Sequence, residues 1–303
     1  MAKHLLIRLL PLLLCITPLL AAEFPMPLPG NDTIGEIHTA TARYEDTLSD
    51  IARTSDLGYL EIADANPGVD PWLPREGLEI VLPTQFLLPQ GSREGIVINL
   101  PELRIYYYPK GENRVITHPL GIGREGWSTP TGLTRVTGKR ADPSWTPPKS
   151  IRLEQEQEGG APLPAVIPPG PDNPLGTHAI YLAMPGYLLH GTNKPYGVGM
   201  RVSHGCIRLY PEDIKSLFPR VPSGTPVRII DEPYKIGWLG DRMYVEAHRP
   251  LSESLADNDQ KLTPLRETIL EQTNQRNLEP DWETFEAAIL SPTGVPTPIT
   301  KEP

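Results

Sequence analysis

The sequence predicts a mainly β protein carrying short helices, divided into more than one unit. Three observations support this. Proline is unusually frequent at 37 residues, which disfavours a helical bundle and favours short strands joined by stiff loops. Runs rich in β-branched and aromatic residues recur between Gly and Pro. Helical periodicity is confined to isolated stretches near 47–65, 211–218 and 262–290.

The N-terminus has a basic start, a leucine-dominated run from Leu5 to Leu20, and then Ala21-Ala22. This is the pattern of a secretory signal peptide over residues 1–22, with cleavage near Ala21 or Ala22. Pro11 and Pro18 break the run, which falls short of the roughly 20 clean apolar residues that span a bilayer. A retained anchor is the alternative. Cys15 leaves with the signal, and Leu12-Leu13-Leu14 lacks the small residue expected before a lipid-modified cysteine. Cys206 then stands alone, so no internal disulfide stabilises the exported chain. Loss of Lys3 and Arg8 takes the formal charge from −9 to −11. So acidic a chain argues against nucleic acid, whose phosphates need clustered Lys and Arg.

Residues 23–36 read as a linker or a leading strand. A compact unit follows over 37–83. Thr47 is placed to cap a helix, with Asp50 as its capping-box partner, and Leu48, Ile51 and Ala52 share one face. A second helix runs from about Leu57 to Ala65 and stops at Asn66-Pro67-Gly68. Leu78 to Leu82 reads as a strand closed by Pro83. On Tyr44, Asp46-Thr47-Leu48, Ile51-Ala52, Leu60, Asn66-Pro67-Gly68 and Leu78–Pro83, the unit resembles a LysM module. That resemblance implies a small α+β (βααβ) domain that binds N-acetylglucosamine-containing glycan strands. Glu45 departs from the glycine usual there.

The larger domain is expected over 96–230. Ile96–Leu100 and Leu103–Tyr108 form a hairpin around Pro101-Glu102. Val115–Gly121, Leu133–Gly138, Ala179–Met184, Tyr187–His190 and Pro226–Ile230 continue the strands, which indicates an all-β sheet or sandwich. A helix begins near Pro211, where proline and acids suit a first turn. Between Arg140 and Gly176 lie nine prolines and little periodicity, read as a shaped loop beside a site. The extension 231–303 holds a segment from Arg242 to His248, helices near 262–272 and 282–290, and an end expected to be disordered.

Cys206 carries the chemistry. A lone thiol with histidines nearby is the minimal equipment for covalent acyl transfer. A thiol is mostly protonated at neutral pH, so it needs a base or an electropositive setting. His204 lies two residues before Cys206 and would share its face in an extended segment. His190 ends an expected strand that a neighbour can bring against the sulfur. Spacing alone leaves open which histidine takes the proton. Gly205 permits a tight turn with amide hydrogens facing an oxyanion. Zinc on His190, His204 and Cys206 is the competing reading, but no second thiolate supports it. No metal or other cofactor is expected.

His190-Gly191-Thr192-Asn193 with Ser203-His204-Gly205-Cys206-Ile207-Arg208-Leu209 resembles the signature of the L,D-transpeptidases, the YkuD family, over about 96–230. Trp145 and Pro168-Pro169-Gly170 belong to the same likeness. The resemblance implies a YkuD-like β-sandwich with Cys206 as nucleophile and His190 as general base, held by a backbone carbonyl near Gly191. It also implies that His204 and Ser203 shape the cleft, with amides around His204, Gly205 and Cys206 as oxyanion donors. Trp145, Asn193 and Arg208 are the expected substrate contacts. Arg208 stands where many members carry asparagine; it either binds a substrate carboxylate or ties down the loop.

The order of units is similar to Gram-negative periplasmic members that attach the Braun outer-membrane lipoprotein to peptidoglycan. The implied substrate is a tetrapeptide stem cut after meso-diaminopimelate. The acceptor is a lipoprotein lysine, a second diaminopimelate giving 3→3 cross-links, or water. An L,D-carboxypeptidase, an amidase releasing the lipoprotein, and a glycan-binding adaptor are the alternatives.

Overall fold

A computed structural model describes residues 22–301. The expected signal peptide and Cys15 lie outside the described residues, apart from Ala22. The first part holds β1 (Ala22–Pro25), β2 (Thr33–Gly35), β3 (His38–Thr41), α1 (Leu48–Thr54), α2 (Tyr59–Ala65), β4 (Glu79–Leu82) and β5 (Gln85–Leu87). The central part runs β6 (Gly95–Asn99), β7 (Arg104–Tyr108), β8 (Arg114–Pro119), β9 (Ile122–Gly123), β10 (Gly132–Ala141), α3 (Lys149–Gln157), β11 (His178–Leu182) and β12 (Leu188–His190). It continues with β13 (Arg201–Ser203), β14 (Ile207–Arg208), α4 (Pro211–Arg220) and β15 (Pro226–Ile230). The last part is β16 (Tyr234–Leu239), β17 (Arg242–Ala247), α5 (Asn258–Gln275), α6 (Trp282–Leu290) and β18 (Thr297–Pro298).

One nine-stranded sheet dominates, in the order β1-β8-β7-β6-β15-β10-β11-β12-β14. The expected two-sheet sandwich is instead this single sheet curled on itself. A register shift between Val136 and Gly138 bends β10, and the far edge returns so that Gly121, just past β8, exchanges two 2.8 Å backbone bonds with Arg208 of β14. Inside the curl Ile98, Ile105, Val136, Ile180, Leu189, Ile207 and Ile229 form one apolar core, closed by Ile214 and Leu217 of α4.

A second core lies between α1 and α2 and the sheet. Leu48, Ile51, Leu57 and Ile62 pack on Val97, Tyr106, Tyr108 and Val115. Within it Arg104, fully buried, is forked onto Glu61 at 2.7 and 3.1 Å. Gly58 and Gly199 meet backbone to backbone, and a Cβ on Gly199 would stand 2.1 Å from the Tyr59 nitrogen. The first unit is therefore fused to the sheet.

Two expectations are corrected here. The proline-rich stretch contains helix α3, because Lys149–Gln157 is a proline-free run of helix formers between Pro148 and Pro162. The C-terminal segment is not disordered over the described residues. β18 pairs with β17, and Ile299 is buried beneath α6, since its apolar side chain completes the third core. Of the two readings of residues 23–36, the leading strand holds, since they contribute to β1 and supply β2.

Candidate active site

The site forms where β12, β14 and the turn between β13 and β14 meet. β12 runs parallel to β14, with Leu189 opposite Ile207 and His190 opposite Arg208. Paired residues share a face and alternate residues return to it. His190, Arg208 and Leu188 therefore project to one side, and one step before β14 so does Cys206. The Leu188 backbone faces the thiol and lowers its pKa, in keeping with that register. Sixteen residues apart in sequence, His190 and Cys206 become diagonal neighbours, a spacing of about 7–8 Å that long side chains bridge.

His190 is buried, and its Nδ1 lies 2.6 Å from the Gly191 carbonyl oxygen. A carbonyl only accepts, so Nδ1 holds the proton and Nε2 keeps the free lone pair. Burial, and then the Arg208 charge, push the imidazole down to about 3 against the opposing Gly191 bond. The ring is thus neutral at pH 7. Burial also pushes the Cys206 thiol up, partly offset by the Leu188 bond and Arg208. Its Sγ lies 3.5 Å from the Gly186 carbonyl and donates to it. The resting pair is neutral thiol and neutral imidazole.

The turn carrying Cys206 is locked internally. Ser203 Oγ donates to the Cys206 carbonyl at 2.5 Å and accepts from the Gly205 amide at 3.2 Å. Thr129 Oγ1 donates to the Gly205 carbonyl at 2.8 Å. Gly205 sits at φ +98°, and a Cβ there would press at 3.0 Å on the Tyr187 ring. Only glycine suits this position.

His204 does not join the pair. Its Nε2 meets Glu154 Oε2 at 2.5 Å and Arg124 Nη2 at 3.4 Å, and its ring lies edge-on to Trp127 with centroids 4.9 Å apart. Its ring nitrogen is thus taken up by Glu154 and Arg124, whereas His190 Nε2 is left free. The bend at Gly205 breaks the extended geometry on which the two-residue spacing relied. Arg208 does reach the site; its buried Nε has no hydrogen-bond partner among the described residues. Gly191 is a packing position, where a Cβ would lie 3.1 Å from Ile214. Asn193 is exposed on the following loop. Trp145 pairs with Ile167 through bonds of 2.8 and 2.7 Å and so clamps the neck of the excursion that carries α3.

Sequence reasoning missed Glu154, Arg124, Trp127 and Tyr187. Glu154 had a weak signal, a short helix-forming run inside a proline-rich loop.

Residues 93–229 match the L,D-transpeptidase catalytic domain family, YkuD. The probable L,D-transpeptidase YcfS of Escherichia coli is 44% identical over 291 residues, covering 94% of this chain and 90% of that protein. The chain belongs to the L,D-transpeptidases. The probable L,D-transpeptidase YbiS of Escherichia coli is 43% identical over 281 residues, 91% of each chain. The probable L,D-transpeptidase ErfK/SrfK of Salmonella typhimurium is 41% identical over 286 residues, covering 93% and 92%. The likeness extends beyond the matched domain to the flanking parts. In this L,D-transpeptidase Cys206, His190 and Arg208 all fall inside the matched span.

Proposed function

We propose that the protein is a periplasmic L,D-transpeptidase that transfers the meso-diaminopimelate acyl group of a peptidoglycan tetrapeptide stem to a lysine of an outer-membrane lipoprotein. The observation that carries this reading is the β12/β14 register, with His190 Nε2 free and diagonal to the Cys206 thiol. His190 takes the thiol proton as Sγ attacks the diaminopimelate carbonyl. Because both groups are neutral at rest, proton transfer accompanies attack. The Gly205 amide is held by Ser203 Oγ, so the amides of His204 and Cys206 are the proposed oxyanion donors. Collapse breaks the bond to the terminal D-alanine, whose nitrogen takes the proton from His190. The acceptor amine then attacks the thioester, gives a proton to His190, and the sulfur leaves. Arg208, a half-buried cation on the same strand face as the sulfur, suits a substrate carboxylate.

Glycan strands are the proposed ligand of the first unit, which has the βααβ order and pairs β3 with β4. Tyr44, Trp72 and Leu73 are exposed on its loops and offer flat apolar surface for sugar rings. The acidic surface charge gives no basis for a nucleic-acid partner.

The test is product analysis with purified tetrapeptide muropeptides and a peptide bearing the lipoprotein's terminal lysine. Amide-linked product is expected, and Cys206→Ala abolishes it. Full activity in Cys206→Ala would sink the mechanism. Accumulation of 3→3 dimers or of hydrolysed tripeptide would move the acceptor to diaminopimelate or water. A carbapenem should add its mass to the native protein and not to Cys206→Ala.

A further inference from the structure

Away from the catalytic sulfur, three charged groups are buried together where the turn after α1, β8 and α4 meet. Asp56, His118 and Asp213 are 6%, 0% and 6% exposed. His118 Nδ1 stands 3.3 Å from Asp56 Oδ2 and 3.5 Å from Asp213 Oδ1. Burial opposes a charge on this ring, but Asp56 and Asp213 outweigh it and raise its pKa. With both carboxylates ionised, a single imidazolium would leave one negative charge unmatched. The nearby guanidinium of Arg104 is already committed to Glu61 and to the Asp56 carbonyl. The deficit surfaces at Asp213, whose buried Oδ2 has no hydrogen-bond partner among the described residues. Its carboxyl is pushed well up by burial and by Asp56. Without a further cation the cluster is relieved by keeping Asp213 protonated, and a cation brought to it would let both carboxylates ionise.

The nitrogen nearest at hand is that of Ala22, 3.0 Å from Asp56 Oδ2. Ala22 opens β1 and lies opposite Thr117, next to His118. The sequence places cleavage near Ala21 or Ala22; a signal of 1–22 would remove Ala22, whereas a cut after Ala21 makes it the first residue. In the uncleaved chain that nitrogen is a neutral amide with a single hydrogen. Once it is the first residue, it is an ammonium with three.

We propose that Asp56 is the receptor for the α-ammonium group of Ala22, formed when a signal peptidase cuts the Ala21–Ala22 bond. This rests on the export reading above. In the cut, water adds hydroxyl to the Ala21 carbonyl carbon and hydrogen to the Ala22 nitrogen, and solvent supplies the further proton. An α-amine titrates near 7.7–8.0, so it is mostly charged at neutral pH, and a carboxylate partner favours that form. Two carboxylates, one imidazolium and one ammonium sum to zero. Cleavage a residue later would start the chain at Glu23, whose side chain is held by Arg114 and Arg220, and would remove the nitrogen that faces Asp56. A chain that starts at Ala22 therefore completes the cluster, and one that starts at Glu23 does not. Processing supplies the last ion of the fold.

Two measurements test this. The full chain is secreted into a Gram-negative periplasm and its N-terminus is sequenced; Ala22 is expected. Retention of residues 1–21 overturns the export reading together with this inference, whereas a start at any other residue overturns this inference alone. Chains beginning at Ala22, and at Gly-Ser added before Ala22, are then melted in the presence of EDTA. The extension should lower Tm by about 2–4 °C. In an Asp56→Asn background, or Asp213→Asn if the first fails to fold, the difference between the two starts should vanish or shrink. Equal melting of the two starts, or a difference untouched by these substitutions, overturns the proposal. So does a rise in Tm on adding zinc chloride that is independent of the N-terminus, which would make the cluster a metal site. Transpeptidase activity below the melting range should be the same for both starts.

Discussion

In the proposed mechanism the chemistry at Cys206 depends on a proton that neither partner gives up at rest. Arg208 biases both groups, lowering the His190 and Cys206 pKa values through space. Arg208→Gln is therefore expected to move the pH midpoint of Cys206 alkylation upward and to raise KM for the stem; an unchanged alkylation profile would remove Arg208 from the site's electrostatics. His190 also couples stability to pH. Its folded pKa is depressed to about 3 from 6.5, so the unfolded chain binds the extra proton between those values. The contribution is fully present above about pH 6.5 and is lost as pH falls toward 3. Thermal melts from pH 7 to 4 should fall more steeply for the native protein than for His190→Gln. The residue types and the two motifs were legible in the sequence. The different surroundings of His190 and His204 were not, because they depend on the left-handed turn at Gly205 and on Glu154, fifty residues from His204.

At the scale of single elements, local chemistry was readable wherever it is local. Thr47 and Asp50 form the reciprocal cap that their spacing announces, with backbone bonds of 3.2 Å in each direction. Thr47→Ala should cost about 1 kcal/mol in denaturant unfolding. Helix α3 was hidden among prolines, since its role comes from the tertiary contact of Glu154 with His204 and Arg124. Glu154→Gln removes the charge that holds it there. Faster amide exchange over 149–157 and a higher KM are expected, and unchanged exchange would show that the helix is held by other contacts. Gly205→Ala should remove most activity even if the fold survives, because a Cβ at this φ strains the turn and displaces Tyr187.

At the scale of the molecule, Lys235 joins the three parts of the chain. Fully buried, its ammonium bonds the Leu87 carbonyl, Glu102 and Glu246, each at 2.7 Å. Lys235→Met strands two buried carboxylates and is expected to cost about 3–5 kcal/mol, measured by denaturant unfolding. Deleting residues 37–83 would likewise strip Arg104 of Glu61 and bare Val97, Tyr106 and Val115, so the deleted protein should be insoluble. Glycan binding is better tested with Tyr44→Ala and Trp72→Ala, which touch only exposed loops. These changes should lower retention on peptidoglycan sacculi and leave turnover of soluble stems intact.

The sequence by itself determined the mainly β class, the capped helix, the lone thiol and the motif that marks the family, because each is written in neighbouring residues. Tertiary structure alone decided that one sheet curls until Gly121 meets Arg208, that His190 is paired with Arg208 across β12 and β14 while His204 is held by Glu154, and that the first unit is fused to the sheet. The reason is physical: these outcomes depend on strand register and on buried charges finding partners across the chain, and neither is encoded in local spacing.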